Sequence, residues 1–143
     1  MTAKPPIPGL HSMSVLIAAD PAQVAQVRHT LRDALRDWDM GELAEDMEVI
    51  VSELVSNAIR HGSGIGVGVG LAAQDGLALL EVADGTDGQP ADRRPEDEDE
   101  DGRGLLIVRA LAKDCGWRTN DRGGTTVWAT MPLTSPQGVP YKA

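Results

Sequence analysis

The sequence predicts an α+β fold, a two-layer α/β sandwich in which helices cover one face of a mainly antiparallel sheet. Three observations lead to this prediction. Segments with helical periodicity are separated along the chain from β-prone segments. The later β-prone segments occur in pairs joined by short turns. The length of 143 residues suits a single core. We therefore expect one domain over 12–133, with flexible tails at 1–11 and 134–143.

The N-terminal half is predicted to form one strand and two helices. The run 12–19 is β-prone, and Asp20 followed by Pro21 is typical of a helix N-cap with proline at the first helical position. Gly41 interrupts the pattern, and a second helix is expected over 42–61 with Gly62 as its stop. Apolar residues recur at three- and four-residue steps along the first helix: Val24, Val27, Leu31, Leu35 and Trp38.

The C-terminal half is predicted to contain two hairpins and a third helix. Glycines alternate with Ile65, Val67, Val69 and Leu71, which predicts a strand with one bare face. A turn at 74–76 leads into a second strand, and the aperiodic, acidic segment 85–103 is expected to be a mobile loop. A helix is expected over 104–112, followed by two strands joined by a turn at 121–123.

The charge pattern argues against a direct nucleic-acid ligand. The net charge is −9, and nine acidic residues against three arginines between Asp84 and Gly104 supply −6 of it. Phosphate neutralisation needs clustered Lys and Arg, and the sequence has no basic block. The six consecutive carboxylates at 96–101 are read as a solvated lid, with a role in partner selection as the alternative.

Cysteine content and hydropathy indicate a cytoplasmic protein that is not bound to a membrane. The one cysteine, Cys115, cannot form an internal disulfide and is expected to act as a small buried apolar residue. No stretch approaches the ~20 apolar residues of a membrane span, and the first residues have no apolar signal-peptide core.

The second predicted helix carries a polar row beside its apolar stripe. Glu53 and Asn57 lie about 40° apart on the edge of that stripe. Asp46 lies on the same edge of the helix, two turns before Glu53. The apolar stripe itself consists of Leu43, Met47, Ile50, Val51, Leu54, Val55, Ala58 and Ile59. Such a row either forms a polar boundary that caps a neighbouring loop or projects functional groups into a cleft. His61 falls within the stripe and is expected to be structural or to cap the helix end.

Three later segments offer groups that can bind a nucleotide. "EVADGTDG" places Asp84 at the end of an apolar strand, where its carboxylate can accept hydrogen bonds from an exocyclic amine. "DGRGLLIV" places Gly102 and Gly104 at a helix start, where free N–H groups and the helix dipole favour an anion. "RGGTTVW" opens a strand with small residues and hydroxyls. The alternative for the first segment is an ordinary strand end, and the alternative for the second is a glycine-rich helix start without a ligand.

Taken together, "ELVSNAIRHG", "VADGTDG", "DGRGLLIV" and "GGTTVWA" resemble the four nucleotide-binding motifs of the GHKL ATPases. The resemblance covers about residues 12–133 and implies the Bergerat, or histidine kinase-like ATPase, fold. Within that superfamily, the N-A-I-x-H-G ending of the first motif and the N-terminal strand and helix are most similar to the anti-sigma-factor serine/threonine kinases.

The resemblance assigns a role to each matching residue. Glu53 corresponds to the general base that takes the proton of a substrate serine hydroxyl. Asn57 corresponds to the ligand of a Mg²⁺ ion that bridges the phosphates of ATP. Asp84 would hold the adenine amino group, and Thr125 would share a water molecule beside it.

The same resemblance assigns the phosphates to the start of the third helix. Gly102 and Gly104, with the backbone amides of Arg103 and Leu105, would surround the phosphates. Arg103 is also our candidate for a phosphate charge partner, because it is the only cation in that turn. One position departs from the family pattern D-x-G-x-G, since Thr86 replaces its first glycine.

Two hypotheses from different classes follow. In the first, the protein is an ATP-dependent serine/threonine kinase that phosphorylates an anti-sigma-factor antagonist, sequesters a sigma factor and forms a homodimer. In the second, it has the same fold but little or no ATP turnover and acts by protein–protein contact alone. Glu53 and Asn57 favour the kinase, whereas Thr86 and the acidic run favour the binding module. A histidine-kinase catalytic domain is disfavoured, because His29 does not lie in a recognisable phosphoacceptor helix.

Overall fold

Helices and strands follow one another in the predicted order. The computed structural model describes residues 9–61, 66–84, 102–119 and 124–133. The predicted tails therefore lie almost wholly outside the described residues. The elements are β1 (His11–Ala18), α1 (Gln23–Asp37), a 3₁₀ turn (Gly41–Leu43), α2 (Ala44–His61), β2 (Gly66–Gln74), β3 (Leu77–Asp84), α3 (Gly102–Leu111), β4 (Asp114–Thr119) and β5 (Thr125–Pro132).

The described strands form one five-stranded sheet in the order β1-β2-β3-β5-β4. Each neighbouring pair is antiparallel. The predicted α+β class with an antiparallel sheet is thus confirmed. Since β3 and β5 lie inside the sheet, the residues at their adjoining ends are held by strands on both sides. The edges of the sheet are β1 and β4.

The core lies between one face of this sheet and the helices. The predicted apolar stripes of α1 and α2 are confirmed, with Ala58, Ile59, Val24 and Trp38 partly buried at their ends. The largest fully buried side chains include Leu31 and Leu35 of α1, Met47, Ile50 and Leu54 of α2, and Leu71, Leu80 and Met131 of the sheet. Cys115 is partly buried against the same core. None of the helices within the described ranges is long and apolar enough to cross a membrane.

The start of α1 differs from the prediction. The sequence placed the first helical residue at Pro21, with Asp20 as N-cap, whereas α1 begins at Gln23. Asp20 Oδ1 accepts a hydrogen bond from the N–H of Ala22 at 3.0 Å, and the Asp20 carbonyl accepts one from Gln23 at 2.9 Å. The carboxylate therefore closes a turn that precedes the helix, because aspartate readily bonds the backbone two residues ahead.

The start of α2 lies two residues after its predicted position, and the start of α3 lies two residues before it. A 3₁₀ turn occupies Gly41–Leu43, so α2 begins at Ala44 rather than at 42. The third helix begins at Gly102, which places both glycines of this region inside its first turn.

A two-residue turn joins β2 to β3. Asp75 has φ of 53° and Gly76 has φ of 76°. Positive φ at both central positions is the property of a type I′ turn, whose twist matches that of the flanking strands. The turn thus fixes the register that pairs Val67 with Asp84 at the other end of the hairpin.

The face of the sheet away from the helices has two different halves. Around β1 and β2 it carries mainly glycine, alanine and serine, with Leu16 projecting from the edge strand at 80% exposure. Around β4 and β5, the Trp128 ring lies over Gly116 of the neighbouring strand, and Arg118 forms an ion pair with Glu81. A Cβ atom built at Gly116 would lie 2.8 Å from Trp128 Cζ2.

This contact predicts that Gly116→Ala destabilises the protein by about 1–3 kcal/mol, because the indole must leave its position over β4. Urea denaturation measures the loss. Gly70→Ala is the matched control, since Gly70 lies on the same face and its added Cβ would meet nothing closer than the Met13 carbonyl oxygen at 4.0 Å. Equal stability of the two variants would contradict the importance of the Trp128 contact.

Candidate functional site

The central strands bring Asp84 and Thr125 together. Asp84 ends β3 and is in phase with the buried residues Ala78, Leu80 and Val82, so its side chain lies on the helix-facing side of the sheet. Thr125 begins β5, 41 residues later, and its N–H donates a hydrogen bond to Asp84 Oδ1 at 3.3 Å. The two residues that were predicted to contact an adenine base are therefore neighbours.

The side chain of Thr125 adds a second polar group at this point. The residue is only 7% exposed, and within the described ranges its buried hydroxyl has no hydrogen-bond partner. A buried hydroxyl without a partner costs on the order of 1–3 kcal/mol. A ligand atom or a water molecule that bonds this hydroxyl would recover that free energy. The arrangement fits the predicted water-mediated contact to a base.

The second helix places Glu53 and Asn57 on one edge. Both side chains are half-buried, one turn apart, and they lie beside Leu54 and Val55, which are fully buried. The buried neighbours fix the rotation of α2, because turning the helix would expose its apolar stripe. The same helix contacts β3 and α3, the elements that carry Asp84 and the predicted phosphate-binding turn.

Asn57 makes a hydrogen bond that the sequence analysis did not predict. Arg60 Nη2 donates to Asn57 Oδ1 at 3.0 Å. The amide oxygen is the atom that was assigned to Mg²⁺. The spacing of three residues on a helix is the sequence feature from which this contact could have been expected.

Contacts from α1 reach α2 at Ser52, the residue that precedes Glu53. Arg28 Nη1 donates to Ser52 Oγ at 3.2 Å, and Ser52 Oγ donates to the Glu48 carbonyl at 2.6 Å. Arg32 lies one turn beyond Arg28, and its Nη1 is 3.5 Å from Glu48 Oε1. These contacts join the two helices directly beside Glu53. Two arginines four residues apart on α1 were the available signal, and the sequence analysis did not use them.

His29 contacts one of the two α1 arginines, Arg32. Its Nδ1 is hydrogen-bonded to Arg32 Nη2. The side chain is exposed on α1, away from the predicted apolar stripe. Nothing in this placement gives His29 a part in the site built by α2 and the central strands.

The third helix begins at the turn that was predicted to bind an anion. Gly102, Arg103, Gly104 and Leu105 form its first turn, whose N–H groups have no acceptors within the helix and lie at the positive end of its dipole. The side chains of Arg103 and Leu105 lie outside the described part of the chain. So do Thr86, the acidic run 96–101 and the side chain of His61.

The metal-binding capacity of the described residues is small. They contain no group of three or more His, Cys, Asp or Glu side chains that could hold a metal ion. Asn57 Oδ1 is a hard oxygen donor, which suits Mg²⁺ when the remaining ligands are phosphate oxygens and water. The residues thus fit an ion that arrives with a nucleotide better than a permanently bound metal.

Residues 17–131 match the family model described as the histidine kinase-like ATPase domain. Among solved structures, the chain is similar to the RsbU and RsbW domains of Rv1364c from Mycobacterium tuberculosis, with a TM-score of 0.63 and 24% sequence identity. That similarity covers 86% of this chain and 32% of the other, so this chain spans about a third of the length of the solved one. At this identity the similarity concerns the fold. No curated protein matches the sequence.

Proposed function

The chain belongs to the family of histidine kinase-like ATPase domains, and on that basis we propose that it is an ATP-dependent protein serine/threonine kinase. Its substrate in this proposal is an anti-sigma-factor antagonist. The observation that carries the proposal is the pair Asp84 and Thr125, in which a carboxylate lies beside a buried hydroxyl that has no partner among the described residues, both on the helix-facing side of the sheet. Such a pair is suited to a base with an exocyclic amine.

In the proposed complex, the base lies at the ends of β3 and β5. Asp84 accepts a hydrogen bond from the adenine amino group, and Thr125 Oγ1 bonds a water molecule that also contacts the base. The triphosphate lies at the first turn of α3, where the N–H groups of residues 102–105 and the helix dipole favour negative charge. Arg103 adds positive charge at the same turn.

Asn57 and Glu53 act on the phosphate end of the nucleotide in this proposal. Asn57 Oδ1 would hold the Mg²⁺ ion, which would supply positive charge to the phosphates when bound. Glu53 accepts the proton of the substrate serine hydroxyl, while the serine oxygen bonds to the γ-phosphorus and the bond to ADP breaks. The half-buried position of Glu53, one turn from Asn57, supports this division of roles.

The proposed partners are the antagonist protein and a sigma factor. The similar Mycobacterium tuberculosis protein contains an RsbW domain beside an RsbU domain, which supports a regulatory setting. We further propose a homodimer that forms near the N-terminus, supported by β1 as an edge strand with exposed Leu16. A cytoplasmic location accords with the free thiol of Cys115.

Calorimetric titration with ATP, with and without Mg²⁺, tests the proposal. We expect the wild type to bind ATP several-fold more tightly with Mg²⁺, and Asn57→Ala to lose most of that gain while its binding in EDTA changes little. The reason is that alanine removes the amide oxygen that is assigned to the ion. Absence of ATP binding in the wild type under both conditions would overturn the proposed function.

A further inference from the structure

A tryptophan on β4 lies near the paired residues Asp84 and Thr125. Trp117 pairs with Val127 of β5, and Thr119 pairs with Thr125. Trp117 is therefore the diagonal neighbour of Thr125 across these two strands. Diagonal neighbours in an antiparallel pair are about 7–8 Å apart, a distance that an aromatic side chain can span. The indole can thus reach the position at which the base is proposed to lie.

Trp117 lies on the same face of the sheet as Asp84 and Thr125. The preceding residue, Gly116, faces away from the helices, because a Cβ atom built there would meet the ring of Trp128. Successive side chains of a strand point to opposite faces, so Trp117 lies on the helix-facing side. Val127, its partner in the ladder, packs against the core. Trp117 itself is half-buried, so packing within the domain does not use its whole surface.

The known groups of the proposed base site contact only the edge of a base. Asp84 accepts a hydrogen bond from the amino group, and the water on Thr125 also bonds at the edge. The flat faces of adenine need an apolar or aromatic neighbour, and an indole attracts another aromatic ring beyond the simple burial of area. Helix α3, whose first turn is assigned to the phosphates, contacts β4 as well as α2. A nucleotide that extends from Asp84 to this turn therefore lies beside β4.

We propose that Trp117 forms one wall of the base site and packs its indole against the adenine ring. The inference rests on the proposed function, because it takes the base to lie at Asp84 and Thr125. Trp117 binds the base in this scheme and contacts none of the reacting atoms. It supplies an aromatic contact that any purine can use, whereas Asp84 selects the purine with an exocyclic amine.

Nuclear Overhauser effects between the full chain and bound ADP test the contact directly. At saturating ADP and Mg²⁺, we expect effects between the indole protons of Trp117 and adenine H2 or H8, which only short distances between protons produce. The Trp117 signals are assigned by their loss in Trp117→Phe. Trp128 lies on the opposite face of the sheet and should give no effect to the base. Absence of effects from Trp117 at saturation would overturn the inference.

The affinity for ADP provides a second measurement. Trp117→Leu should weaken binding about threefold to tenfold in calorimetric titration, because leucine stays apolar but lacks an aromatic ring. Trp117→Phe should recover most of this loss. Trp128→Leu is the matched control, since the same substitution is made on the neighbouring strand and on the other face of the sheet. Its affinity should equal that of the wild type. Equal affinities of Trp117→Leu and the wild type would also overturn the inference.

The wild type and Asp84→Asn separate this inference from the proposed function. If the wild type does not bind ADP, the proposed function fails and the inference fails with it. If the wild type binds ADP and Asp84→Asn binds it much more weakly, but Trp117 gives no effect to the base, only the inference fails. Should Trp117→Leu not fold, the Overhauser effects in the wild type decide the outcome.

Discussion

Glu53→Gln is expected to reduce the rate of phosphate transfer from ATP to an anti-sigma-factor antagonist at least about 100-fold, the typical contribution of a general base. Glutamine keeps the size of the side chain and its half-buried position on α2, but its amide cannot accept the serine proton. Nucleotide affinity should stay within about twofold of wild type, because Glu53 is assigned to the hydroxyl and not to the phosphates. Single-turnover transfer of labelled γ-phosphate to the purified antagonist measures the rate.

Glu45→Gln provides the control for this substitution. Glu45 is exposed in the first turn of the same helix, so the change in charge and chemistry is identical but lies away from the candidate site. Its rate should equal that of the wild type. Equal rates for Glu53→Gln and the wild type would exclude Glu53 as the base. A wild type that binds ATP but transfers no phosphate would favour the second hypothesis, a binding module of the same fold.

Asp84→Asn is expected to weaken ATP binding about 100-fold. The amide oxygen can still accept the Thr125 N–H, so the local backbone contact is kept. The amide nitrogen, however, presents donors where the carboxylate would accept from the adenine amino group, and a buried pair of donors facing each other is costly. Calorimetry with ATP measures the loss, and circular dichroism verifies that the fold is retained.

Asp114→Asn is a close match for this experiment. Asp114 also accepts a backbone N–H, from Cys115 at 2.9 Å, and it also lies at the end of a strand. It is exposed and lies on the opposite face of the sheet from Asp84. Its substitution should leave ATP affinity unchanged. If Asp114→Asn and Asp84→Asn weaken binding equally, the effect is one of general charge, and the assignment of Asp84 to the base is wrong.

The sequence predicted the fold well because its patterns depend on short-range periodicity. The three- and four-residue steps from Val27 to Leu35 and the alternation of glycine with valine in β2 define buried faces without any long-range information. Helix starts were less accurate. Asp20 can either cap a helix or close a turn before it, and only the path of the following residues decides between these geometries.

The candidate site was predicted as a set of residue identities but not as a set of contacts. The resemblance placed Asp84 and Thr125 beside the same base, but their direct hydrogen bond depends on β3 and β5 being neighbours, which is a property of the sheet order. The bonds of Arg28 to Ser52 and of Arg60 to Asn57 were missed, because helical spacing permits such contacts but does not determine which polar side chains pair. The roles assigned to Glu53, Asn57 and Asp84 remain predictions that the proposed experiments test, and those of Thr125 and the α3 turn remain predictions as well.

The sheet order has a further consequence for how this chain can diverge. Asp84 ends a central strand and Gly102 begins a helix that packs on α2, so both ends of the segment 85–101 are anchored in the folded domain. The entropy of closing a loop rises only with the logarithm of its length, and a doubling costs about 0.6 kcal/mol. Changes in the length of the chain between these two anchors therefore alter the closure entropy only slightly. Such changes leave the ends of β3 and β5 that carry Asp84 and Thr125 in place, because the neighbouring strands hold them.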